Sequence, residues 1–315
     1  MRKIVSLFGF NPEQEQRIRE AAAGCEVIFG KPGQLDPALI EETEVLCGWW
    51  KAAEERGLGG KLKWVQTGSA GVDNLPLAKL AARGIVLTTA SGVHPVPMTE
   101  TVFAMLLAFS RNLHHAIRNQ RDRRWQRADT YGELRGLTLA VVGAGEVGTE
   151  IARIAQAFGM HTLGVRRSGR PAPHVDDMRT PDRLDEALAE SDVVVNVLPH
   201  TEETVRLFDA VRFSRMKPSA IFINVGRGTA VDTDALTEAL KNGVIAGAGL
   251  DVCEPEPLPE DHPLWALDNV ILTPHIGGAT ERYKARMTEL FVANLQAYLA
   301  TGTPAKNIVD YAKSY

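Results

Sequence analysis

Three short segments in the second half of the chain concentrate residues able to do chemistry. They are Asn224-Val225-Gly226-Arg227-Gly228, Gly249-Leu250-Asp251-Val252-Cys253-Glu254-Pro255-Glu256-Pro257 and Thr273-Pro274-His275-Ile276-Gly277-Gly278. Each comes just after an apolar run of strand length, and the carboxyl edge of an open α/β sheet is where ligands bind. Singly they are ambiguous. Arg227 between glycines suits a surface turn as well as a ligand, a lone histidine is more often structural, and Glu254 and Glu256 fit a solvated proline-rich loop. Together, an arginine, a carboxylate and a histidine on neighbouring strand ends are what 2-keto acid reduction requires. Arg227 would clamp a carboxylate and polarise the carbonyl. His275 would give or take the proton, and a nearby carboxylate would steady the charged imidazole.

A second constellation lies upstream. Gly143-Ala144-Gly145-Glu146-Val147-Gly148 comes after the strand-like LTLAVV and opens a helix-like stretch, Glu146–Phe158. A bare glycine triplet of this spacing is weak evidence, but strand before and helix after are the context a dinucleotide loop needs. The first glycine permits the tight turn, the second lets backbone approach pyrophosphate, and the third lets helix pack on strand. The helix N-terminus then offers unpaired N–H groups to phosphate. About 20 residues on, where an NAD site places an acid on the ribose 2′-OH, the chain has Arg166-Arg167-Ser168. Paired guanidinium donors and a hydroxyl suit a 2′-phosphate. NADP(H) is therefore favoured, with NAD(H) possible and a solvated basic turn as the competing reading.

The elements that must position these groups alternate short apolar runs with helix-period stretches, which signals α/β architecture with parallel sheets. A first series of strands is expected at Lys3–Phe8, Glu26–Phe29, Val45–Cys47, Lys63–Gln66 and Ile85–Thr88. A second series of six is expected at Leu137–Val142, His161–Val165, Val193–Leu198, Ala220–Asn224, Ile245–Leu250 and Val270–Thr273. Two segments stand apart as long helices, Met98–Arg118 and Arg282–Leu299. The stretch after the sixth strand is too short for a domain, so the last helix is expected to return to the first. This predicts two Rossmann-like domains: a discontinuous substrate domain, residues 1–94 and 282–315, with a dinucleotide domain, residues 95–281, inserted in it. The apolar surplus of Met98–Arg118 fits either core or the seam of a homodimer.

The chain's 315 residues suit two domains, and 44% apolar with 23% charged residues is globular composition. A net charge of -4 gives no electrostatic reason to expect nucleic acid or an anionic membrane, and no apolar run approaches the ~20 residues of a membrane span. The basic start reads as a first strand rather than a signal peptide. Cys25, Cys47 and Cys253 are odd in number and widely spaced. That argues against a disulfide framework or a metal site, for a reducing compartment with cytoplasm as the default, and for three small buried hydrophobes.

With these motifs in order, the chain resembles the D-isomer-specific 2-hydroxyacid dehydrogenases over essentially its whole length. The resemblance rests on GSAGVD (68–73), PMTE (97–100), GAGEVG, LPHTEET (198–204), NVGRG, GLDVCEPEPLP and TPHIGG. It implies hydride exchange between a nicotinamide dinucleotide and a small 2-keto or 2-hydroxy acid, without metal. Arg227 matches the family's substrate-binding arginine, His275 its acid/base and Glu256 the carboxylate partner of that histidine. Asp251 matches the contact to the nicotinamide carboxamide, and the backbone of Ser69, Ala70 and Gly71 the loop that holds the substrate carboxylate. Leu198, Pro199, Thr204, Val225, Gly226 and Gly277 would lie along the cofactor. The Arg166–Ser168 turn is similar to that of NADP-preferring glyoxylate/hydroxypyruvate reductases, and Glu256 stands where formate dehydrogenases have glutamine. The end at Tyr315 lacks the regulatory domain common in phosphoglycerate dehydrogenases, which weighs against that NAD-dependent activity. Trp49, Trp50 and His94 could line a pocket for a small substrate, with packing as the alternative for each tryptophan. A dehydrogenase-like corepressor that senses dinucleotide is a rival from another class. An amino-acid dehydrogenase would need a lysine in place of the His275 set.

Overall fold

The structure, a computed structural model, describes residues 1–313. In chain order it has β1 (Lys3–Ser6), α1 (Pro12–Ala21), β2 (Glu26–Phe29), β3 (Val45–Cys47), α2 (Lys51–Glu55), β4 (Trp64–Gln66), α3 (Leu77–Ala82) and β5 (Val86–Thr88). Then come α4 (Pro95–Ser110), α5 (Leu113–Arg121), β6 (Thr138–Val142), α6 (Glu146–Ala157), β7 (His161–Val165), β8 (Asp177–Arg179), α7 (Leu184–Glu190) and β9 (Val193–Asn196). The last are α8 (Ala210–Arg215), β10 (Ile221–Asn224), α9 (Thr233–Lys241), β11 (Gly247–Leu250), β12 (Val270–Leu272) and α10 (Tyr283–Thr301). The chain forms two compact units, one of Met1–His94 together with the chain from Thr280 onward, the other of Pro95–Ala279. Among the described residues no helix is long and apolar enough to cross a membrane.

The first unit is a five-stranded parallel sheet in the order β2-β1-β3-β4-β5, a doubly wound order. Helix α10 closes one face, burying Met287, Phe291, Leu295 and Tyr298 with Trp64 and Ile4. A buried polar clasp fixes its register: Asn294 Nδ2 donates to Gln66 Oε1 at 3.0 Å, and Gln66 Nε2 reaches the carbonyls of Thr67 and Thr89. Trp50 belongs to the opposite core, with Trp49 packed against it. The pocket reading for Trp50 therefore gives way to packing. His94 stacks on Tyr283, ring centroids 5.7 Å apart.

The second unit is a seven-stranded parallel sheet in the order β12-β11-β10-β9-β6-β7-β8. The order runs outward both ways from β6 and β9, which creates the switch point where dinucleotides bind. The expected six strands are seven: β8 reads Asp-Met-Arg and carries no apolar signal, yet it pairs with β7 as an edge strand. Its Arg179 is buried and held by Glu190 and Asp177. The expected helix Met98–Arg118 is two. Asn112 adopts a left-handed φ of 52°, which asparagine tolerates, and breaks α4 from α5. Helix α4 buries Val102, Phe103, Met105 and Leu106 on the sheet. Its Met105 Sδ would lie 2.7 Å from a Cβ at Gly249, so the small residues of β11 are what let the helix approach.

Strand ends also moved inward. The run Val193–Leu198 pairs only to Asn196, because the Asn196 side chain takes the Leu198 N–H and turns the chain out of the ladder. All three cysteines are free, but only Cys47 is buried; Cys25 and Cys253 are partly exposed.

Candidate active site

The glycine loop sits at the switch point between β6 and α6. Gly143 has φ +106°, and a Cβ there would lie 2.9 Å from the Val197 carbonyl, so both conformation and space demand glycine. A Cβ at Gly148 would meet the Gly143 oxygen at 2.6 Å, which is the close helix–strand packing the motif needs. Gly145 is different. Nothing lies within 4 Å of its Cβ position, and it caps α6 without a side-chain hydrogen bond. Open space over an uncapped helix N-terminus, with Glu146 and Val147 opening the helix, fits a pyrophosphate.

Arg166 and Arg167 come directly after β7. Arg166 lies back toward the loop, donating to Ala144 O at 3.4 Å and Pro171 O at 2.8 Å, while its Nε is buried without a partner. Arg167 pairs with Glu203 at 2.8 Å, and Ser168 Oγ accepts from the Arg170 N–H. An orphaned guanidinium donor beside the glycine loop fits an additional phosphate.

The three segments singled out first leave the adjacent strands β10, β11 and β12. Half-buried Arg227 is flanked by two glycines with no room for a side chain. A Cβ at Gly226 would lie 2.8 Å from Leu198 N, and one at Gly228 only 1.9 Å from Cys253 O. Val225 is buried beneath them, while Leu198 and Thr204 are half-buried and Pro199 exposed; Thr204 Oγ1 donates to the Pro199 carbonyl. Glu256 rides on a loop secured at both ends. Thr233 Oγ1 donates to Glu254 O at 2.7 Å, and Trp265 Nε1 to Pro259 O at 2.8 Å. The peptide bonds before Pro255 and Pro257 are cis. Burial pushes the Cys253 thiol pKa up, and the charge of Glu256 adds to this, which keeps the sulfur a neutral bystander.

His275 Nδ1 lies 2.6 Å from Glu256 Oε1. The two side chains are 52% and 40% exposed, and an ion pair that open to water contributes little to stability. The histidine backbone is left-handed, φ 53°, where a side chain is normally unfavoured. Asp251 holds it there. Its buried carboxylate accepts from Thr273 Oγ1 (2.6 Å), Ile276 N (2.9 Å) and Gly277 N (2.8 Å), and its carbonyl accepts from His275 N (2.8 Å). The grip of Asp251 and Thr273 on this turn was not anticipated. Nor was the buried pair Asn196–Asn224 beneath Arg227; each is the lone polar residue ending an apolar strand, which is the signal that could have found them.

In the first unit, Ser69 and Ala70 are exposed and the loop is internally braced. Thr67 Oγ1 donates to Ser69 O, Gly71 N donates to Ser69 Oγ, and Ser69 O also accepts from Ala90 N. Tyr283 OH donates to Gly68 O at 2.8 Å; burial, more than the neighbouring Cys47, pushes its pKa up to about 12, so it remains a donor.

A parallel sheet in dinucleotide order, with a histidine–carboxylate pair and an arginine along its carboxyl edge, defines an oxidoreductase using a nicotinamide dinucleotide. Residues 103–277 match the D-isomer specific 2-hydroxyacid dehydrogenase NAD binding domain. The chain belongs to this family. It is 36% identical over 308 residues to the glyoxylate/hydroxypyruvate reductase B of Serratia proteamaculans, covering 96% of this chain and 89% of that one. A crystal structure of a family protein from Aeromonas salmonicida superposes with TM-score 0.87 at 36% identity, covering 98% and 99% of the two chains. The NADPH-dependent glyoxylate/hydroxypyruvate reductase of Sinorhizobium meliloti, solved with citrate, gives TM-score 0.78 at 30% identity, covering 99% and 98%.

Proposed function

We propose that this enzyme is an NADP(H)-preferring reductase of small 2-keto acids, with glyoxylate or hydroxypyruvate as substrate. The observation that carries the reading is the His275 Nδ1–Glu256 Oε1 contact at 2.6 Å, with Glu256 after β11 and His275 after β12, next along the sheet from the β10 that precedes Arg227. A bound nicotinamide dinucleotide supplies or accepts the hydride. Glu256 at Nδ1 fixes the ring and steadies its charged form, leaving Nε2 to hold the proton for the substrate oxygen. Arg227 binds the substrate and offsets charge developing on the carbonyl. The loop of Ser69, Ala70 and Gly71 is assigned the substrate carboxylate. In the cofactor site, Gly143, Gly145, Glu146, Val147 and Gly148 take the pyrophosphate, and Arg166, Arg167 and Ser168 the 2′-phosphate. Leu198, Pro199, Thr204, Val225, Gly226, Asp251 and Gly277 line the remainder. The names of the relatives from Serratia and Sinorhizobium support the substrate choice, and the orphaned Arg166 Nε supports NADP(H).

The first unit is assigned as the substrate domain and the second as the cofactor domain. A homodimer through the Met98–Arg118 region is supported by exposed Leu113 and Ile117 on α5. The test of function is NADPH oxidation monitored by absorbance with glyoxylate, hydroxypyruvate, pyruvate, 2-ketobutyrate and phenylpyruvate. Highest kcat/KM with one of the first two is expected. Best turnover of phenylpyruvate would overturn the substrate choice.

A further inference from the structure

We infer that the buried amide pair Asn196–Asn224 is the positioning device for Arg227; this rests on the reading of Arg227 as the substrate-binding residue. Both asparagines are fully buried and stand opposite one another at the last paired positions of β9 and β10. Asn196 Nδ2 donates to Asn224 Oδ1 at 2.9 Å, and that oxygen also accepts from Gly226 N at 3.2 Å. Asn224 Nδ2 donates to Arg227 O at 3.1 Å and Val252 O at 3.4 Å, while Asn196 Oδ1 accepts from Leu198 N at 3.1 Å. One pair of side chains therefore ties the exits of three consecutive strands, β9, β10 and β11.

The physical need is specific. Where a strand leaves its ladder inside the protein, the freed backbone groups must find partners away from water. An apolar residue at 196 or 224 would fill the core equally well and leave them unpaired. The pair also sets polarity. Because an Asn196 donor faces Asn224 Oδ1, the other end of the Asn224 amide must be nitrogen, and only nitrogen can hold the Arg227 carbonyl. Asn224 is fully buried. It acts by fixing the backbone from which the guanidinium extends, and orientation of a binding group is costly to lose.

The test is a mutant cycle with glyoxylate, reading KM, kcat, the dissociation constant of NADPH by tryptophan fluorescence, and the thermal midpoint. Asn224→Ala removes four hydrogen bonds, one of them to the Arg227 carbonyl; it should raise the KM for glyoxylate about tenfold and raise the NADPH dissociation constant less, by no more than about threefold through Gly226. In an Arg227→Ala background, adding Asn224→Ala should change kcat/KM by less than about twofold. Equal losses in both backgrounds would show a general structural role and overturn the inference. Should Asn224→Ala fold poorly, Asn196→Leu, which keeps the branched shape and removes the amide, runs the same cycle. It should raise KM about threefold, only while Arg227 is present; a wild-type KM would overturn the inference. If Arg227→Ala itself leaves KM unchanged, the reading of Arg227 fails and takes the inference with it. A large Arg227→Ala effect with an additive cycle removes the inference alone.

Discussion

At the scale of single residues, the proposed acid/base His275 sits in a left-handed backbone conformation, which costs a residue with a side chain free energy. Asp251 offsets that cost with bonds to the turn on both sides of it. His275→Ala should lower kcat by about 10²–10⁴, the usual weight of general acid–base catalysis, while NADPH affinity stays unchanged when measured by fluorescence titration. Loss of NADPH binding instead would assign His275 to the cofactor. Asp251→Asn keeps one acceptor oxygen and turns the other into a donor facing a backbone N–H, of Ile276 or of Gly277, and should lower both the thermal midpoint and kcat. The placement of Arg227, Glu256 and His275 after three adjacent strands was legible because each follows an apolar run of strand length; their roles remain the proposal. The bonds made by Asp251, Thr273, Asn196 and Asn224 were not legible, because they run sideways between strands whose neighbours only the folded sheet determines.

At the scale of elements, the glycine loop separates fold from binding. Gly145→Ala introduces a methyl into open space, so calorimetry should find the thermal midpoint unchanged. The same methyl should weaken NADPH at least about tenfold by obstructing close backbone approach; tight NADPH binding by this variant would refute the loop's assignment. Gly228→Ala should do the reverse. Its methyl strikes the Cys253 carbonyl, and a well-packed site forced to shift typically loses about 1–3 kcal/mol. The β7–β8 edge adds a pH effect. Burial opposes ionisation of Asp176, but hydrogen bonds from Thr162 and Gln156 outweigh it and hold its carboxyl below the ordinary value. A depressed folded value means its contribution is full above the unfolded value of about 4 and lost as pH falls through the folded value. Asp176→Asn should therefore lower the thermal midpoint at neutral pH and narrow toward no difference in acid. Strand β8 escaped the sequence reading because an edge strand of Asp-Met-Arg has neither alternation nor a buried apolar run. The break between α4 and α5 escaped it because Asn112 ends one helix without interrupting the apolar periodicity.

At the scale of the whole molecule, the chain leaves its first unit at His94 and returns to it at Thr280. Asn294 is bonded to Gln66 across most of the sequence. Asn294→Ala should cost about 1–3 kcal/mol as a buried, multiply bonded amide is removed, lowering a calorimetric transition without touching NADPH affinity. The return of the last helix was legible because the stretch after β12 is too short to bury a core of its own. Cofactor choice is the sharpest claim about the molecule, since the family match alone leaves it open between the two dinucleotides. The direct measurement is the ratio of kcat/KM for NADPH over NADH with hydroxypyruvate, in the wild type and in Arg166→Asp. A ratio above about ten is expected, falling toward or below one in the variant as charge-assisted phosphate bonds are lost. An NADH preference in the wild type, or a ratio indifferent to Arg166, would contradict it.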